Sequence, residues 1–555
     1  MRKYFLILPL LILSCQINAQ NYTQLTDSAL HLMWKAKDTV AKRNALNLYE
    51  QAFKRYPSEI ENTGRYKAAV LSAGLLEIDK AFEYLGPVAK SDTESDHGWE
   101  NILDYGDEYK SLHEDPRWKK LVSAAQIDKK VFLEKIAHRQ AEFERGGLRT
   151  IIFAKKDGGE ATYQKIKNFN LFLKIKEEGY SIKFKVTDSL NTSYFVRLPK
   201  NYNPKKSYSI LFFLHGAVAY NGFSEYQDSS VGDDWNRYYT KYAALHDVIM
   251  VYPSGSKKYN WMIPDDGFFM VPAMLREIKQ SVNIDDNKVF ITGHSNGATG
   301  SFSYLMKQQS PFAGFYGFNT QPKVRTGGTF IRNILNRSYF NVSTDQDYYY
   351  PPGANDTLNV LMKKLGADYL DHRFNGFPHW FPQFDESEAV YPLLFKDLAA
   401  RKRNPFHSQI YWECDDVKYG KADWLEITQL DTAAKSADWH QQINFDILKL
   451  LVFDKNDSLV SKDTLTRAFK FPRRPGAVKG YFKNNEFHLQ TSAVKNLTVY
   501  ISPEMVDMAK PVIIYINGIK KAGKKPAYNK SFIIDNFKRT YDRKAVWVDR
   551  IDITI

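Results

Sequence analysis

Val289-Phe290-Ile291-Thr292-Gly293-His294-Ser295-Asn296-Gly297 decides the reading of this chain. An apolar, β-favouring run enters Gly-x-Ser-x-Gly, and the small residues Ala298, Thr299, Gly300 and Ser301 follow, as at a helix start. The context predicts a strand, a very tight turn and a helix, with Ser295 at the apex. Gly293 and Gly297 remove the side chains that would hold strand and helix apart. Ser295 would then stand at a helix N-terminus, where free backbone N–H groups and the helix dipole favour negative charge. That is the setting of an activated serine, a nucleophile elbow.

Working outward, strands alternate with helical stretches from about residue 150 to 400, which implies a mostly parallel sheet. Ser193–Leu198 alternates in polarity and precedes a turn over 199–206. Ser209–Leu214 and Val248–Tyr252 are continuous apolar runs, as strands buried on both faces should be. Phe268–Val282 has helical spacing, and Tyr339–Ser343 and Tyr369–Phe374 read as further strands.

The flanks differ. Residues from about 22 to 145 read as helical: Ala45, Leu46, Leu48, Tyr49, Ala52, Phe53 and Tyr56 recur at helical spacing and stop at Pro57. Tyr66, Ala68, Ala69 and Gly74, then Asp79, Ala81, Phe82 and Leu85, resemble tetratricopeptide helix pairs. Tyr109-x-x-Leu112-x-x-Asp115-Pro116-Arg117-Trp118-x-x-Leu121 resembles the cap of such an array. A plain helical domain that only packs on a neighbour reads equally well. Beyond about 405 short β-rich stretches return: Ile410–Cys414, Trp424–Thr428, Phe487–Gln490, Leu497–Ile501, Val512–Ile516 and Ala545–Val548. Asn517-Gly518 is a type I′ hairpin signal, and an Ig-like sandwich is expected. Leu430–Phe471 is less regular and finds no place in this scheme.

At 555 residues the chain is too long for one core. The expected division is a leader at 1–19, a helical domain at 20–150, an α/β domain at 151–404 and a β-rich domain at 405–555. With 43% hydrophobic and 25% charged residues, a largely disordered chain is excluded. Arg2 and Lys3 precede the apolar run Tyr4–Leu13, and Ile17-Asn18-Ala19 resembles a signal-peptidase site. A second reading competes: Ile12-Leu13-Ser14-Cys15 resembles a lipobox, with Cys15 acylated as a lipid anchor. Both readings export the chain, either to the periplasm or outside the cell or as an outer-membrane lipoprotein. The only other cysteine, Cys414, reads as a small buried hydrophobe. Net charge is +14, or +12 without Arg2 and Lys3. The basic residues are scattered, with modest clusters at Arg401-Lys402-Arg403 and Lys520-Lys521, and no glycine–aromatic nucleic-acid module accompanies them. A solvated basic surface is therefore favoured over nucleic-acid binding.

A serine hydroxyl needs a base to take its proton, and the base needs a carboxylate to orient it. His379 lies in Gly376-Phe377-Pro378-His379-Trp380, after the strand Tyr369–Phe374, where Gly and Pro around one histidine suit an imidazole held over the serine. Its rival His372 falls inside the strand. His294 is the variable residue of the elbow, with its side chain expected to point away from the substrate. Asp347 and Asp345 compete for the acid, both following the strand Tyr339–Ser343. The dispersed histidines and two cysteines match no metal-site spacing, so neither metal nor cofactor is expected.

Together, His215-Gly216 after the strand Ser209–Leu214, Gly293-His294-Ser295-Asn296-Gly297, Asp347 and Gly376-Phe377-Pro378-His379 resemble the α/β-hydrolase superfamily. The nearer likeness is to exported feruloyl esterases, acetylxylan esterases and polyhydroxybutyrate depolymerases, over roughly residues 180–400. The resemblance implies Ser–His–Asp acyl transfer by Ser295, His379 and Asp347; the Asp-x-x-x-Pro spacing of Asp347 is similar to the acid loop of many esterases. It also implies an oxyanion hole from the N–H groups of Ala217 and Asn296, with His215 shaping that loop. Ala298 stands where many relatives have a second glycine, and this makes the peptidase branch the weaker match.

Aromatic residues crowd the loops expected at this face: Trp261, Phe268, Phe269, Tyr348, Tyr349, Tyr350, Trp380 and Phe381. They read either as lid and core packing or as surfaces for sugars or aryl acids. The expectation is an exported serine hydrolase of carboxylic esters, with an ester substrate that is carbohydrate-linked if the aromatics bind it. A prolyl-oligopeptidase-type peptidase is the competing enzyme. A binding or scaffold protein with an inactive core, using the helical domain for a protein partner, is the third reading.

Overall fold

The computed structural model describes residues 21–555 except 92–96, 105, 219–221 and 264–265. The expected leader and Cys15 lie outside the described residues. The chain divides into two compact units between Lys135 and Ile136.

The first unit is helical: α1 Tyr22–Lys35, α2 Thr39–Arg55, α3 Asn62–Gly74, α4 Ile78–Val88, α5 Gly98–Leu103 and the start of α6 Pro116–Phe143. Asn21 caps α1 in a reciprocal capping box with Gln24, and Asp38 caps α2 by accepting from the Ala41 N–H. Consecutive helices α1 to α4 pack on one another, and Ala29, Ala45 and Ala68 let them approach closely around Leu46, Tyr49 and Leu71. Trp118 packs on Tyr109 with ring centroids 5.4 Å apart.

The second unit begins with a segment leading to α7 Gly159–Lys167 and is built on eight strands: β1 Gly179–Lys185, β2 Asn191–Arg197, β3 Tyr208–Leu214, β4 Ile249–Pro253, β5 Ile284–Gly293, β6 Gly314–Phe318, β7 Tyr339–Gln346 and β8 Tyr369–Pro378. They pair in the order β1-β2-β4-β3-β5-β6-β7-β8. β1 and β2 are antiparallel to each other and β2 to β4, whereas every pair from β4 to β8 is parallel. β3 shows why this sheet is buried on both faces. Ile210 and Phe212 join one core with Met274, Ile278, Phe302 and Leu358, from helices α9 Met270–Ser281, α10 Asn296–Lys307 and α11 Pro352–Leu365. Leu211 and Phe213 join the opposite core with Tyr239, Leu394 and Phe395, from α8 Arg237–Leu245 and α12 Tyr391–Ala400.

Beyond α12 two further sheets enclose one core. β9 Gln409–Cys414, β14 Gly476–Lys483, β15 Glu486–Ser492, β17 Val512–Ile516 and β18 Ile519–Lys524 form one. β10 Lys421–Ala422, β11 Leu425–Leu430, β16 Val494–Ile501 and β19 Asp549–Thr554 form the other. Trp412, Phe487 and Ile514 from the first face Leu425, Val499 and Ile551 from the second across the core they share with Trp424. Asn517 and Gly518, both at positive φ, turn β17 into β18 with Ile516 opposite Ile519, as the Asn-Gly signal requires. Cys414 is buried, and burial pushes its thiol up to about 12.

Three stretches differ from expectation. Ala545–Val548 is not a strand; Val546 and Val548 instead pack with Ile533 and Phe537 of α13 Lys530–Thr540 and with Tyr163 and Ile166 of α7. The strand lies just beyond, where Asp549, Ile551 and Ile553 point inward at period two. The unplaced 430–471 region contains a hairpin, β12 Asp446–Phe453 with β13 Leu459–Arg467, whose base is anchored by Ala468 and Phe469 in the core beneath the eight-stranded sheet. The basic cluster at 401–403 is not all solvated: Arg403 is buried and ion-paired to Asp542 at 2.8 Å.

Candidate active site

The elbow forms where β5 meets α10. Ser295 has φ 57° and ψ −119°, a conformation that a side chain rarely adopts and that costs about 1–3 kcal/mol. Surrounding contacts hold it there: the Ser295 N–H donates to Phe318 O at 3.0 Å, and the Gly297 N–H to His294 O at 2.9 Å. Close approach explains Gly297, since a Cβ there would lie 1.8 Å from the carbonyl oxygen of Leu214, at the end of β3. Ser295 is half-buried.

Three strand ends converge on that hydroxyl. His379, just after β8, is buried, and its Nε2 is 2.8 Å from Ser295 Oγ. Its Nδ1 is 2.9 Å from Asp347 Oδ1, just after β7. Asp347 is buried too: Oδ1 also accepts from the N–H groups of Tyr349 (2.9 Å) and Tyr350 (3.2 Å), and Oδ2 accepts from Asn319 Nδ2 (3.0 Å). With Oδ1 taken by three donors, a neutral imidazole carries its proton on Nδ1 and presents the Nε2 lone pair to the serine. Asp345 is elsewhere: it accepts from the Gly376 N–H at 2.7 Å and pins the turn that carries His379.

His294 does not simply turn away. It is buried beside the site, donating from Nε2 to His379 O at 2.7 Å, with its ring 4.9 Å from that of His379 and 5.3 Å from Trp235. Burial, reinforced by the His379 charge, pulls its pKa down to about 3, so it stays neutral. His372 stacks on Phe340 within the sheet at 4.5 Å.

The loop after β3 runs against the elbow: a Cβ on Gly216 would be 3.6 Å from that of Ser295. His215 accepts from the Gly255 N–H at 3.0 Å through Nε2 and donates to Gly216 O at 2.9 Å through Nδ1, so it is fixed as one neutral tautomer and burial lowers its pKa. Trp261 Nε1–H donates to His215 O at 3.2 Å. Ala217, exposed, follows in that loop, and Asn296 is the first residue of α10, so its N–H has no partner within the helix.

The aromatic residues separate into two groups. Trp261, Phe268, Tyr350 and Phe381 are buried core. Tyr349, 55% exposed, and Trp380, 37% exposed, stand at the mouth, their rings 4.5 Å and 5.0 Å from the His379 ring. Tyr348 packs on Tyr349 at 4.5 Å; Phe269 is exposed. Two contributors escaped the sequence reading. Trp235 lies 6.0 Å from Trp380, in a short 3-10 turn before α8. Phe453, 55% exposed at the end of β12, lies 5.2 Å from Tyr348. Neither carries a local motif, and β12 has no period-two alternation that could have marked Phe453 as a strand residue.

Among the described residues, no group of three His, Cys, Asp or Glu side chains is placed to hold a metal ion. No helix among them is long and apolar enough to cross a membrane.

No family model matches the chain, and no curated protein does. Its neighbours among solved structures are esterases and serine hydrolases, with partial coverage. A thermostable esterase is 20% identical, over 41% of this chain and 64% of its own, with a TM-score of 0.34. A protein assigned as a dipeptidyl aminopeptidase IV from Bacteroides ovatus is 11% identical over 40% of this chain and 36% of its own, TM-score 0.33. A butyrate-bound esterase of Thermogutta terrifontis is 13% identical over 40% of this chain and 94% of its own, TM-score 0.33. The chain thus spans less than two thirds of the length of the first two.

Proposed function

We propose that this chain is an exported α/β-hydrolase that cleaves carboxylic esters by acyl transfer through Ser295. The observation that carries the reading is the hydrogen-bond chain Ser295–His379–Asp347, at 2.8 and 2.9 Å, at the ends of β5, β7 and β8. Nucleophile, base and orienting acid are each within the reach that proton transfer needs.

His379 takes the Ser295 proton as Oγ attacks the ester carbonyl. Asp347 holds the imidazole in its productive tautomer and stabilises the imidazolium that forms. The backbone N–H groups of Ala217 and Asn296 receive the oxyanion, a contribution of about 3–4 kcal/mol per donor in well-studied hydrolases. His379 returns the proton to the leaving alcohol, and water then repeats the sequence on the acyl-enzyme. No step requires a metal or cofactor. The exposed rings of Tyr349, Trp380 and Phe453 favour esters with a flat or ring-containing group, acylated carbohydrates included.

Turnover of p-nitrophenyl acyl esters against peptide anilides, in wild type and Ser295→Ala, tests this. Ester turnover abolished by the substitution supports it. Anilide turnover exceeding ester turnover would assign the site to a peptidase. Export is tested by cell fractionation and by labelling with a palmitate analogue: label on Cys15 means a lipid-anchored form, its absence a leader cut near Ala19.

A further inference from the structure

Away from the catalytic face, the second unit has a cavity of about 310 Å³ where the end of α10, the four-stranded sheet and α13 meet. Its charges do not balance. Of the carboxylates lining it, Asp542 pairs with Arg403 at 2.8 Å and with Lys279 at 3.5 Å. Asp423 pairs with Arg337 at 2.7 Å and with His407 at 2.8 Å. Glu426 accepts from the Tyr500 hydroxyl. Among the lining cations, Lys307 is matched by Asp415 at 2.9 Å and Arg403 by Asp542.

Lys418, Lys421 and Arg539 also line the cavity, and none of the three has a carboxylate within ion-pair distance among the described residues. The Lys421 ammonium rests on the face of the Tyr500 ring, 3.7 Å from its centroid. Burial pulls its pKa down to about 8 against the opposing pull of Glu426, and the nearby Arg539 charge adds to the lowering. Lys421 bears the cost of burial with Glu426, its cross-strand partner on β11, and the already paired Asp423 as nearby carboxylates, whereas Arg539 is exposed; an anion between the two would offset the cost at Lys421. Gln308, at the same cavity, has its carbonyl Oε1 buried without a hydrogen-bond donor. Tyr419, Tyr500 and Trp547 supply aromatic walls.

We propose that this cavity binds a small planar organic carboxylate carrying a hydroxyl, with the carboxylate held by Lys421 and Arg539 and the hydroxyl donating to Gln308 Oε1. A guanidinium fork and an ammonium together suit a carboxylate, and the volume suits one small ring system. The site is independent of the catalytic serine.

Isothermal titration of the full chain with 4-hydroxybenzoate, benzoate and inorganic phosphate tests the assignment. The expected result is one saturable site for 4-hydroxybenzoate, present alike in wild type and Ser295→Ala, with weaker binding of benzoate and of phosphate. Lys421→Met and Arg539→Met should each weaken binding at least tenfold. The ligand should raise the melting temperature of wild type but not of these variants. If Lys421→Met fails to fold, Arg539→Met, on an exposed position of α13, decides alone. No saturable binding, binding that survives the substitutions or is lost in Ser295→Ala, or phosphate binding as tightly as 4-hydroxybenzoate would each overturn the proposal.

Discussion

Asp347→Asn should reduce kcat/KM on p-nitrophenyl acetate by about 10⁴-fold while leaving the chain folded. The amide has one acceptor end. With its oxygen at the Oδ1 position it keeps all three donors gathered there, from His379, Tyr349 and Tyr350. Its NH₂ then faces Asn319, whose own Oδ1 is buried without a partner and can accept after the Asn319 amide turns over, with the Thr344 hydroxyl, to which Nδ2 donates at 2.6 Å, turning to donate to it as well. Hydrogen bonding is therefore largely retained, and the main loss is the negative charge. At the 2.9 Å separation of His379 Nδ1 and Asp347 Oδ1, and with an effective dielectric of about 20, the ion pair formed during proton transfer is worth about 6 kcal/mol. At 1.36 kcal/mol per decade of rate this gives roughly 10⁴. Asp345→Asn is the control: its amide oxygen can keep the Gly376 N–H, so the change should stay within about threefold. Circular dichroism confirms folding of both. If Asp347→Asn keeps more than a tenth of wild-type activity, or Asp345→Asn is the more damaging, the assignment of the acid is wrong.

Other perturbations follow from the same geometry. His294 is neutral when folded, with its pKa pulled down to about 3, and titrates near 6.5 when unfolded. Its contribution is therefore fully present above pH 6.5 and is lost as pH falls, at up to about 1.4 kcal/mol per pH unit between 6.5 and 3. Melting temperatures between pH 7 and 4 should fall less steeply in His294→Gln than in wild type; equal slopes would mean that His294 is not held neutral. Phe453→Ala removes an aromatic pair worth about 0.5–1.5 kcal/mol. It should raise KM for naphthyl esters a few-fold and leave p-nitrophenyl acetate unchanged, whereas equal effects on both esters would place Phe453 outside the substrate's reach. Gly297→Ala would put a Cβ 1.8 Å from Leu214 O, backbone against backbone. It should yield little folded protein or a strongly lowered melting temperature, and a stable, active variant would contradict the packing of β3 against the elbow.

The arrangement around Ser295 was legible because its signals are local. The apolar run into Gly293 had to become a strand, and two glycines around Ser295 left one backbone path. His379 was legible from Gly376 and Pro378 around it. The choice between Asp347 and Asp345 was open until the acceptors were placed, since both follow the same strand and differ only in which way each faces. The hairpin carrying Phe453 was missed because its strands are largely exposed and lack an apolar face, so period-two burial leaves no pattern to read. β19 was misplaced by a few residues because Val546, Trp547 and Val548 outweigh Ile551 and Ile553 in hydrophobicity, although only the latter alternate. Arg403 looked like surface charge, since nothing local marks an arginine whose partner, Asp542, lies 139 residues away.

The most direct test of the central claim is labelling of the purified chain with a fluorophosphonate probe, beside Ser295→Ala and His379→Ala. The account predicts one label on wild type, at Ser295, none on Ser295→Ala and strongly slowed labelling of His379→Ala. A folded wild-type chain that takes no label, or a Ser295→Ala chain that still does, would contradict it.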